Sequence, residues 1–323
     1  MSTKERVLVA LTKAEGTLSG EALAQELGVS RNAVWKAIEG LRADGYGIEA
    51  GTNRGYRLVE GVDVITGAEI RRHLTGDLGR AMELHDEIDS TNTRAKALAA
   101  QGAEHGTLVC ASSQTGGRGR FGRKFHSPDG GGIYMSLILR PRIPAEQAVM
   151  ITSMTAVAVA RAIERLADVK VGIKWVNDLF IAGRKVCGIL CEAGMDFESG
   201  QLEYAVVGIG VNTARAEFPE EIREIATSIG NVCGHDISRS RLIAEICNCM
   251  EELYPTLGTN AFMAESRARS VVLGKKITVL RGDSRFAATA LDIDDQGGLV
   301  IETETGTEVV RSGEISIRLE DLA

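Results

Sequence analysis

Gln114-Thr115-Gly116-Gly117-Arg118-Gly119-Arg120-Phe121-Gly122-Arg123-Lys124 is the stretch around which the rest of the chain falls into place. Its four glycines suit neither a helix nor a strand, because each adds backbone freedom that a regular element must freeze. They permit positive φ and let backbone N–H groups approach a ligand closely. Three arginines and a lysine make the same stretch a cationic loop. Arginine forks match phosphate or carboxylate oxygens two at a time, so the loop suits a phosphorylated or carboxylated ligand. A loop of this composition also suits the backbone of RNA or DNA, and it can equally stand solvated and idle. It is not a Walker A loop, since no Gly-Lys-Ser/Thr follows, and it is not a GxGxxG turn opening a helix.

Outward from the loop, residues 107–112 and 133–140 read as strands. So do residues 171–176, 179–181, 184–192 (after an Ala182-Gly183 turn) and 204–211, while 147–166 and 240–254 read as helices. The strands outnumber the helices and often follow one another directly. For residues 65–270 this predicts an α+β domain, a mixed or mainly antiparallel sheet with helices on one side, and not a doubly wound fold. Residues 271–323 carry four short strands, at 276–280, 285–293, 299–302 and 307–311, separated by Gly and Asp turns, which is a small β-barrel pattern.

The first 62 residues have a different rhythm. A helix over 4–13 is followed by Ser19, which can cap a helix over 20–27, then by Gly28, which allows a sharp turn. Ser30 caps a third helix, 31–43, with Val34, Ile38 and Leu41 on one apolar face. Residues 48–58 read as a hairpin around a Gly-containing turn. The order resembles a winged helix-turn-helix DNA-binding domain. In that arrangement Arg31, Asn32, Trp35 and Lys36 face the major groove and Arg54 sits on the wing. A helical protein-interaction domain with solvated charges is the alternative.

Composition sets outer limits. A chain of 323 residues holds two or three domains. A formal charge of −7 supplies no global basic field, so any DNA binding uses a local patch. The six cysteines form no CxxC pair and no metal-finger spacing, and they read as reduced, core-filling thiols of a cytosolic protein. The chain opens Met1-Ser2-Thr3-Lys4-Glu5-Arg6, without signal-peptide character, and the most apolar helical run (148–160) is shorter than the ~20 residues of a membrane span. A cytoplasmic protein with no membrane partner is expected.

Two further stretches carry chemistry. Lys174-Trp175-Val176-Asn177-Asp178 ends one strand, and Gly183-Arg184-Lys185-Val186-Cys187-Gly188 continues a hairpin. Lys174, Asp178 and Lys185 stand in otherwise apolar strands, so each is expected to pair or to meet a ligand. A purely structural Lys174–Asp178 pair is the plain alternative. Asp89-Ser90-Thr91-Asn92 opens a helix, where a hydroxyl either caps the helix or holds a ligand's polar head.

In order, Asp-Ser-Thr-Asn at 89–92, Gly-Arg-Gly-Arg-x-Gly-Arg at 117–123, Ser127-Pro128, Lys-Trp-x-Asn-Asp at 174–178, Arg184-Lys185-x-x-Gly-Ile-Leu to 190 and Gly210-Val211-Asn212 resemble the biotin protein ligase family. The winged helix before them and the small barrel after them resemble its repressor-type members. The resemblance implies a biotin/lipoate ligase-like core, related to class II synthetases, and an SH3-like C-terminal barrel. It implies two half-reactions: the biotin carboxylate attacks the ATP α-phosphate to give biotinyl-5'-AMP, then a lysine of a biotin carboxyl carrier protein takes the biotin and AMP leaves. By resemblance, Ser90, Thr91, Asn92, Gln114, Gly117, Arg118, Gly119, Arg120, Lys185 and Gly188 meet biotin or its adenylate. Lys185, Arg118, Arg120, Lys174 and Asp178 carry the chemistry, with Lys185 first at the reacting carboxylate and α-phosphate. Asp178 orients Lys174 or helps deprotonate the acceptor lysine. Arg123, Phe125, Asn177 and Asn212 fall on the nucleotide side, Arg123 toward the leaving pyrophosphate.

Mg²⁺ is expected with ATP, and no metal on protein ligands. Operator DNA of biotin synthesis genes and a homodimer formed with the adenylate bound are the further expected partners. Val176 stands where the family often has proline, and Phe125 where it often has tryptophan; the first changes stiffness, the second keeps a ring with less area. Two other functions fit the same residues: a lipoate or octanoate ligase, and a biotin-sensing repressor without turnover.

Overall fold

The computed structural model describes residues 2–14, 16–43, 46–51, 55–59, 64–196, 198, 200–281, 284–311 and 313–316. It divides into two compact units between Arg72 and His73. The first unit opens with helices α1 (Thr3–Lys13), α2 (Gly20–Leu27) and α3 (Arg31–Ala43). Serine side chains start all three: Ser2 in a capping box with Glu5, Ser19 accepting from the Ala22 N–H, and Ser30 from the Ala33 N–H. Gly28 ends α2 at φ 64°, a conformation open to glycine at no steric cost. Strands β1 (Ile48–Gly51) and β2 (Gly55–Leu58) form the antiparallel hairpin, and α4 (Gly67–His73) follows. Val34, Ile38 and Leu41 of α3 are buried against Val7, Leu8, Leu11 and Leu23. The outer side of α3 exposes Arg31, Asn32, Trp35 and Lys36, with Trp35 52% exposed. Arg54 lies outside the described residues.

The second unit is built on a seven-stranded sheet. Along the chain come β3 (Met82–Ile88), α5 (Thr91–Ala100), β4 (Leu108–Gln114), β5 (Gly132–Leu139), α6 (Ala148–Leu166), β6 (Gly172–Lys174), β7 (Asp178–Ile181), β8 (Arg184–Met195) and β9 (Leu202–Asn212). The spatial order is β3-β4-β5-β9-β8-β7-β6, in which β3 and β4 run parallel and every other pair antiparallel. The sheet is therefore mixed, as the strand pattern implied.

Helices cover both faces, not one. Ala95 and Ala99 of α5 pack on Val109, Ile138 and Val206. Side chains alternate along a strand, so the neighbouring Val207 points the other way, as does its partner Cys191, which Thr152 of α6 hydrogen-bonds. α6 is buried along most of its length and packs against α8 (Arg239–Leu253), which follows the short α7 (Ile229–Cys233). A last short helix, α9 (Met263–Ala268), ties to α6 through Arg161 and Glu265. None of the helices is long and apolar enough to cross a membrane among the described residues.

The C-terminal strands are β10 (Lys276–Arg281), β11 (Ser284–Ile293), β12 (Leu299–Thr303), β13 (Gly306–Val310) and β14 (Glu314–Ser316). They form an antiparallel sheet in the order β13-β12-β11-β10-β14. Its 294–298 turn docks on the turn between β6 and β7: Trp175 Nε1, buried, donates to Gly297 O at 2.9 Å. All six cysteines are free, and Cys110, Cys187, Cys247 and Cys249 are buried.

Candidate active site

The cationic loop leaves β4 and returns toward β5. Backbone bonds give it a shape: Gly116 N–H to Asp89 O (2.8 Å), Gly119 N–H to Arg123 O (2.7 Å) and Phe125 N–H to Gly117 O (2.9 Å). At its tip Phe121 sits in the left-handed region (φ 56°) and is 68% exposed, beneath the Arg120 guanidinium at 5.0 Å. Gly117 lies under the loop and not on the pocket wall. A Cβ there would stand 2.6 Å from both Phe125 O and Ser127 Oγ, so no larger residue fits.

The loop forms one wall of a pocket whose other sides come from α5, β8, β9 and the β6–β7 turn. Arg118, Gly119, Arg120, Arg123, Lys124 and Phe125 line it from the loop; Ser90, Thr91, Asn92 and Gln114 from the α5 side; Lys174, Asn177, Asp178, Lys185 and Gly188 from the sheet. Of the site residues expected from sequence, Gly117 and Asn212 are outside this lining. The Asn212 amide donates instead to Thr227 O at 3.0 Å, at the end of β9.

Polar groups on the α5 side are chained together. Gln114 Oε1 accepts from the Thr91 N–H (2.9 Å) and hydroxyl (3.2 Å), and Gln114 Nε2 donates to Ser127 Oγ (3.0 Å). Buried Ser136 reaches Thr91 Oγ1 at 2.8 Å and Asn92 Oδ1 at 2.7 Å. Thr91 is thus fixed by a network and is not a helix cap. Ser90 holds the cap position but makes no side-chain cap bond, and it is buried. A buried hydroxyl at a helix start without a cap bond is placed to meet a ligand's polar head.

On the sheet side the backbone register sets Lys174 opposite Asp178, yet the Asp178 carboxylate meets Lys185 Nζ at 2.7 Å. Asp178 thus pairs with Lys185, where the sequence reading had set it with Lys174. Lys174 Nζ lies 5.9 Å over the Phe180 ring. Asn177 joins three parts: it donates to Asp178 Oδ1 (3.0 Å) and Ile189 O (3.2 Å) and accepts from Arg120 Nη1 (2.9 Å). Arg120 also donates to Gly313 O at 2.6 Å, so the loop touches the C-terminal sheet. The Lys185 backbone is clasped by the following segment, with Lys185 N–H to Ile225 O and Thr227 N–H to Lys185 O, both 2.8 Å.

The floor is largely glycine, with Leu190 among it. Gly188 and Gly210 face each other across β8 and β9, and Gly208 stands opposite Leu190. The Phe125 ring lies over this strip, edge-on to Tyr134 at 6.4 Å. Alanine at 210 would put its Cβ 2.5 Å from that ring, and at 208 would overlap the Asn92 amide. Gly208, Tyr134 and Ser136 were not singled out from sequence, and Gly210 entered only through the Gly210-Val211-Asn212 motif. Only a strand with glycine at alternate positions, Gly208 and Gly210, offered a signal, because spaced glycines on one strand face mark a close approach.

Chemically, six cations and one carboxylate surround a largely glycine floor. Such a pocket favours two anions brought together, since its fixed charges offset their repulsion.

Comparison with known proteins agrees with this geometry. Residues 84–212 match the biotin/lipoate A/B protein ligase family, residues 3–57 an HTH domain and residues 272–318 the biotin protein ligase C terminal domain. The chain is 39% identical over 326 residues to the bifunctional ligase/repressor BirA of Bacillus subtilis, covering 98% of this chain and 99% of that one. It is 31% identical over 244 residues to the biotin–[acetyl-CoA-carboxylase] ligase of Mycobacterium tuberculosis, covering 73% and 88%. Among solved structures, biotin protein ligase from Aquifex aeolicus in complex with biotin and ATP matches with a TM-score of 0.64 at 29% identity, over 74% of this chain and 99% of that one. A ligase core between an N-terminal HTH domain and the C-terminal ligase domain, matched end to end by such a relative, places this chain in the biotin protein ligase family as a bifunctional ligase/repressor of the BirA type.

Proposed function

We propose that this pocket joins biotin to ATP as biotinyl-5'-AMP and then passes the biotin to a lysine of a biotin carboxyl carrier protein. The observation that carries the reading is the gathering of Arg118, Arg120, Arg123, Lys124, Lys174 and Lys185 around a glycine floor. The biotin carboxylate and the α-phosphate are both anions, so bringing them to contact needs fixed cations more than an acid–base pair. Lys185 bridges the two reacting groups and sheds part of its hold on Asp178 as charge moves to the phosphate. Arg118 and Arg120 cover the adenylate, and Arg123 faces the departing pyrophosphate. Ser90, Thr91, Asn92, Gln114, Gly117, Gly119 and Gly188 shape the biotin end. Phe125, Asn177 and Asn212 serve the nucleotide side, Asn212 through the 213–227 segment that it anchors. In the second half-reaction Asp178 takes the proton of the incoming lysine ammonium, and Lys174 lies at the entry.

Mg²⁺ accompanies ATP in this proposal as an ion on its phosphates. Among the described residues no three His, Cys, Asp or Glu side chains gather to hold an ion, so no step is assigned to it.

Biotin-dependent exchange of pyrophosphate into ATP tests the first half-reaction. Exchange with lipoate or octanoate but not with biotin overturns the substrate. Absence of labelled carrier after adding biotin, ATP and a carrier domain overturns the transfer and leaves a sensing repressor.

The exposed side chains Arg31, Asn32, Trp35 and Lys36 on one face of α3 support a second role at operator DNA. Ordering of the 114–125 loop by the adenylate favours a homodimer through the central sheet, which sets two winged helices on a palindromic site. Operator affinity that ignores biotin and ATP overturns this part. A division into domains at 1–62, 65–270 and 271–323, in the cytoplasm, completes the proposal.

A further inference from the structure

Ser136 of β5, Gly208 of β9 and Leu190 of β8 stand side by side in register. Gly208 leaves a gap in that row, and the Asn92 amide of α5 lies against it, where a Cβ at 208 would overlap it. Toward β8, Asn92 Nδ2 donates to Leu190 O (3.2 Å) and to Glu192 Oε2 (2.9 Å). Toward β5, Asn92 Oδ1 meets the Ser136 hydroxyl at 2.7 Å. Glu192 is ionised: burial raises its carboxyl, but the hydrogen bonds from Lys96 and Asn92 outweigh that and hold it below its ordinary value. Lys96 Nζ stands 2.5 Å from its other oxygen. The amide is thus locked in one sense. Turned over, its oxygen would face a carbonyl and a carboxylate, neither of which has a proton to give.

Fixing the amide fixes the hydroxyl protons beside it. Ser136 has one proton, and Asn92 Oδ1, which has none, takes it. The 2.8 Å contact between Ser136 Oγ and Thr91 Oγ1 then needs the Thr91 proton. The other acceptor within its reach is Gln114 Oε1, at 3.2 Å, which already holds the Thr91 N–H. The Gln114 amide is itself fixed, since Nε2 donates to Ser127 Oγ. With either acceptor the Thr91 proton stays inside the network. Thr91 Oγ1 lines the pocket and offers it lone pairs alone. A ligand head with an N–H at this point is matched. A head with sulfur, oxygen or methylene there leaves a buried acceptor unmet.

We propose that Ser136 is a specificity-determining residue: it relays the sense of the Asn92 amide to Thr91, so that the pocket selects the cyclic urea of biotin over a ring without N–H, such as the dithiolane of lipoate. The proposal rests on the reading of this pocket as the biotin site. Ser136 is fully buried and outside the pocket lining, so it acts as a positioning residue and touches no ligand. Sites that hydrogen-bond a substrate's N–H or O–H reject analogues lacking it by ~10⁴–10⁵-fold, and the relay supplies part of that ratio.

The test uses the full chain, with radiolabelled biotin displaced by biotin or by biotin methylated on one or the other ureido nitrogen. The wild type, Ser136→Ala, Thr91→Val and the double variant are compared by affinity. In the wild type, methylation of the nitrogen facing Thr91 should weaken binding strongly. Ser136→Ala should bind biotin about tenfold more weakly, with little loss for that methylated form, so the discrimination shrinks about tenfold. Thr91→Val should shrink it at least as much, and adding Ser136→Ala to Thr91→Val should change it no further. A Ser136→Ala variant that weakens all the ligands alike overturns the proposal, for then Ser136 only supports the fold. So does a loss of discrimination that persists in the Thr91→Val background, or a wild type indifferent to both methyl groups. Each of these, in a protein that binds biotin, refutes the relay alone. A wild type that binds lipoate and not biotin refutes the pocket reading together with it.

Discussion

Replacing Gly210 by alanine asks whether the loop and the floor depend on each other. The added Cβ would lie 2.5 Å from Phe125 Cε1 and 2.6 Å from Cζ. Ordinary contact begins near 3.4 Å, so the ring must retreat by about 0.9 Å. It has little room sideways, because Gly188 lies beneath it and Tyr134 stands edge-on at 6.4 Å. β9 is paired on both sides, to β5 and β8, and will not yield. The ring therefore moves outward and takes the loop with it, straining the 2.9 Å bond from Phe125 N–H to Gly117 O. Overpacking of this size costs ~1–3 kcal/mol. Because the loop is the soft partner, that cost falls on ligand binding, as a rise of ~5- to 150-fold in the biotin KM of pyrophosphate exchange. The melting temperature, set by the sheet, should fall by less than ~4 °C. Adding Phe125→Ala removes the clash, so the double variant should match Phe125→Ala alone. A wild-type KM for Gly210→Ala, or a double variant worse than Phe125→Ala, would refute the packing of the ring on the floor.

Lys185→Ala should lower adenylation by ~10²–10³-fold, the usual cost of removing one preorganised charge, while its circular dichroism and melting stay those of the wild type; normal turnover would remove Lys185 from the reaction. Lys36→Ala should weaken operator binding and reduce the slope of log affinity against log salt by about 1, read by titration at several salt concentrations. Glu164 is bound by both Arg269 terminal nitrogens at 2.8 Å. Burial raises its carboxyl, but Arg269 and the Val171 N–H outweigh that and hold it below 4.5. Its folded value is depressed, so its stabilisation is full above the unfolded value and is lost as pH falls through the folded one. Melting curves of Glu164→Gln should thus show a shallower loss below pH ~4.5 than the wild type. Burial pushes the Cys110 thiol up to about 12 and also raises Cys247, so neither should react with a thiol reagent at pH ~7 before unfolding.

The first three helices were legible because their signals are local: Ser19 and Ser30 at the starts of α2 and α3, Gly28 at the end of α2, and a period in Val34, Ile38 and Leu41. The cationic loop was legible for the same reason. β3 was not, since Glu83, His85 and Glu87 interrupt its apolar residues, and it lies at the sheet's edge. The strand expected over 171–176 ends at Lys174, where a turn takes the chain into β7. Which lysine holds Asp178 depends on a register shift between Leu179 and Phe180, a property of pairing and not of spacing. Helices on both faces could not be told from one, because α5 shows little apolar periodicity and buries itself through alanines. Gly208 and Gly210 acquire meaning only when Asn92 and Phe125, far along the chain, arrive above them.

The clasp on the Lys185 backbone bears on how this enzyme's relatives can diverge. Ile225 and Thr227 hold Lys185 from one end, while Asn212 reaches Thr227 O and Gly230 N–H reaches Thr213 O at the other. Asn231 ties Ala216 through both the N–H and the carbonyl of that residue, and residues 217–224 hang from that closed neck. Lengthening such a closed loop is cheap, ~0.6 kcal/mol for each doubling. Insertions and deletions there can accumulate without shifting the lysine, so the segment is a place where evolution, or an engineer, can graft new surface onto an unaltered reaction.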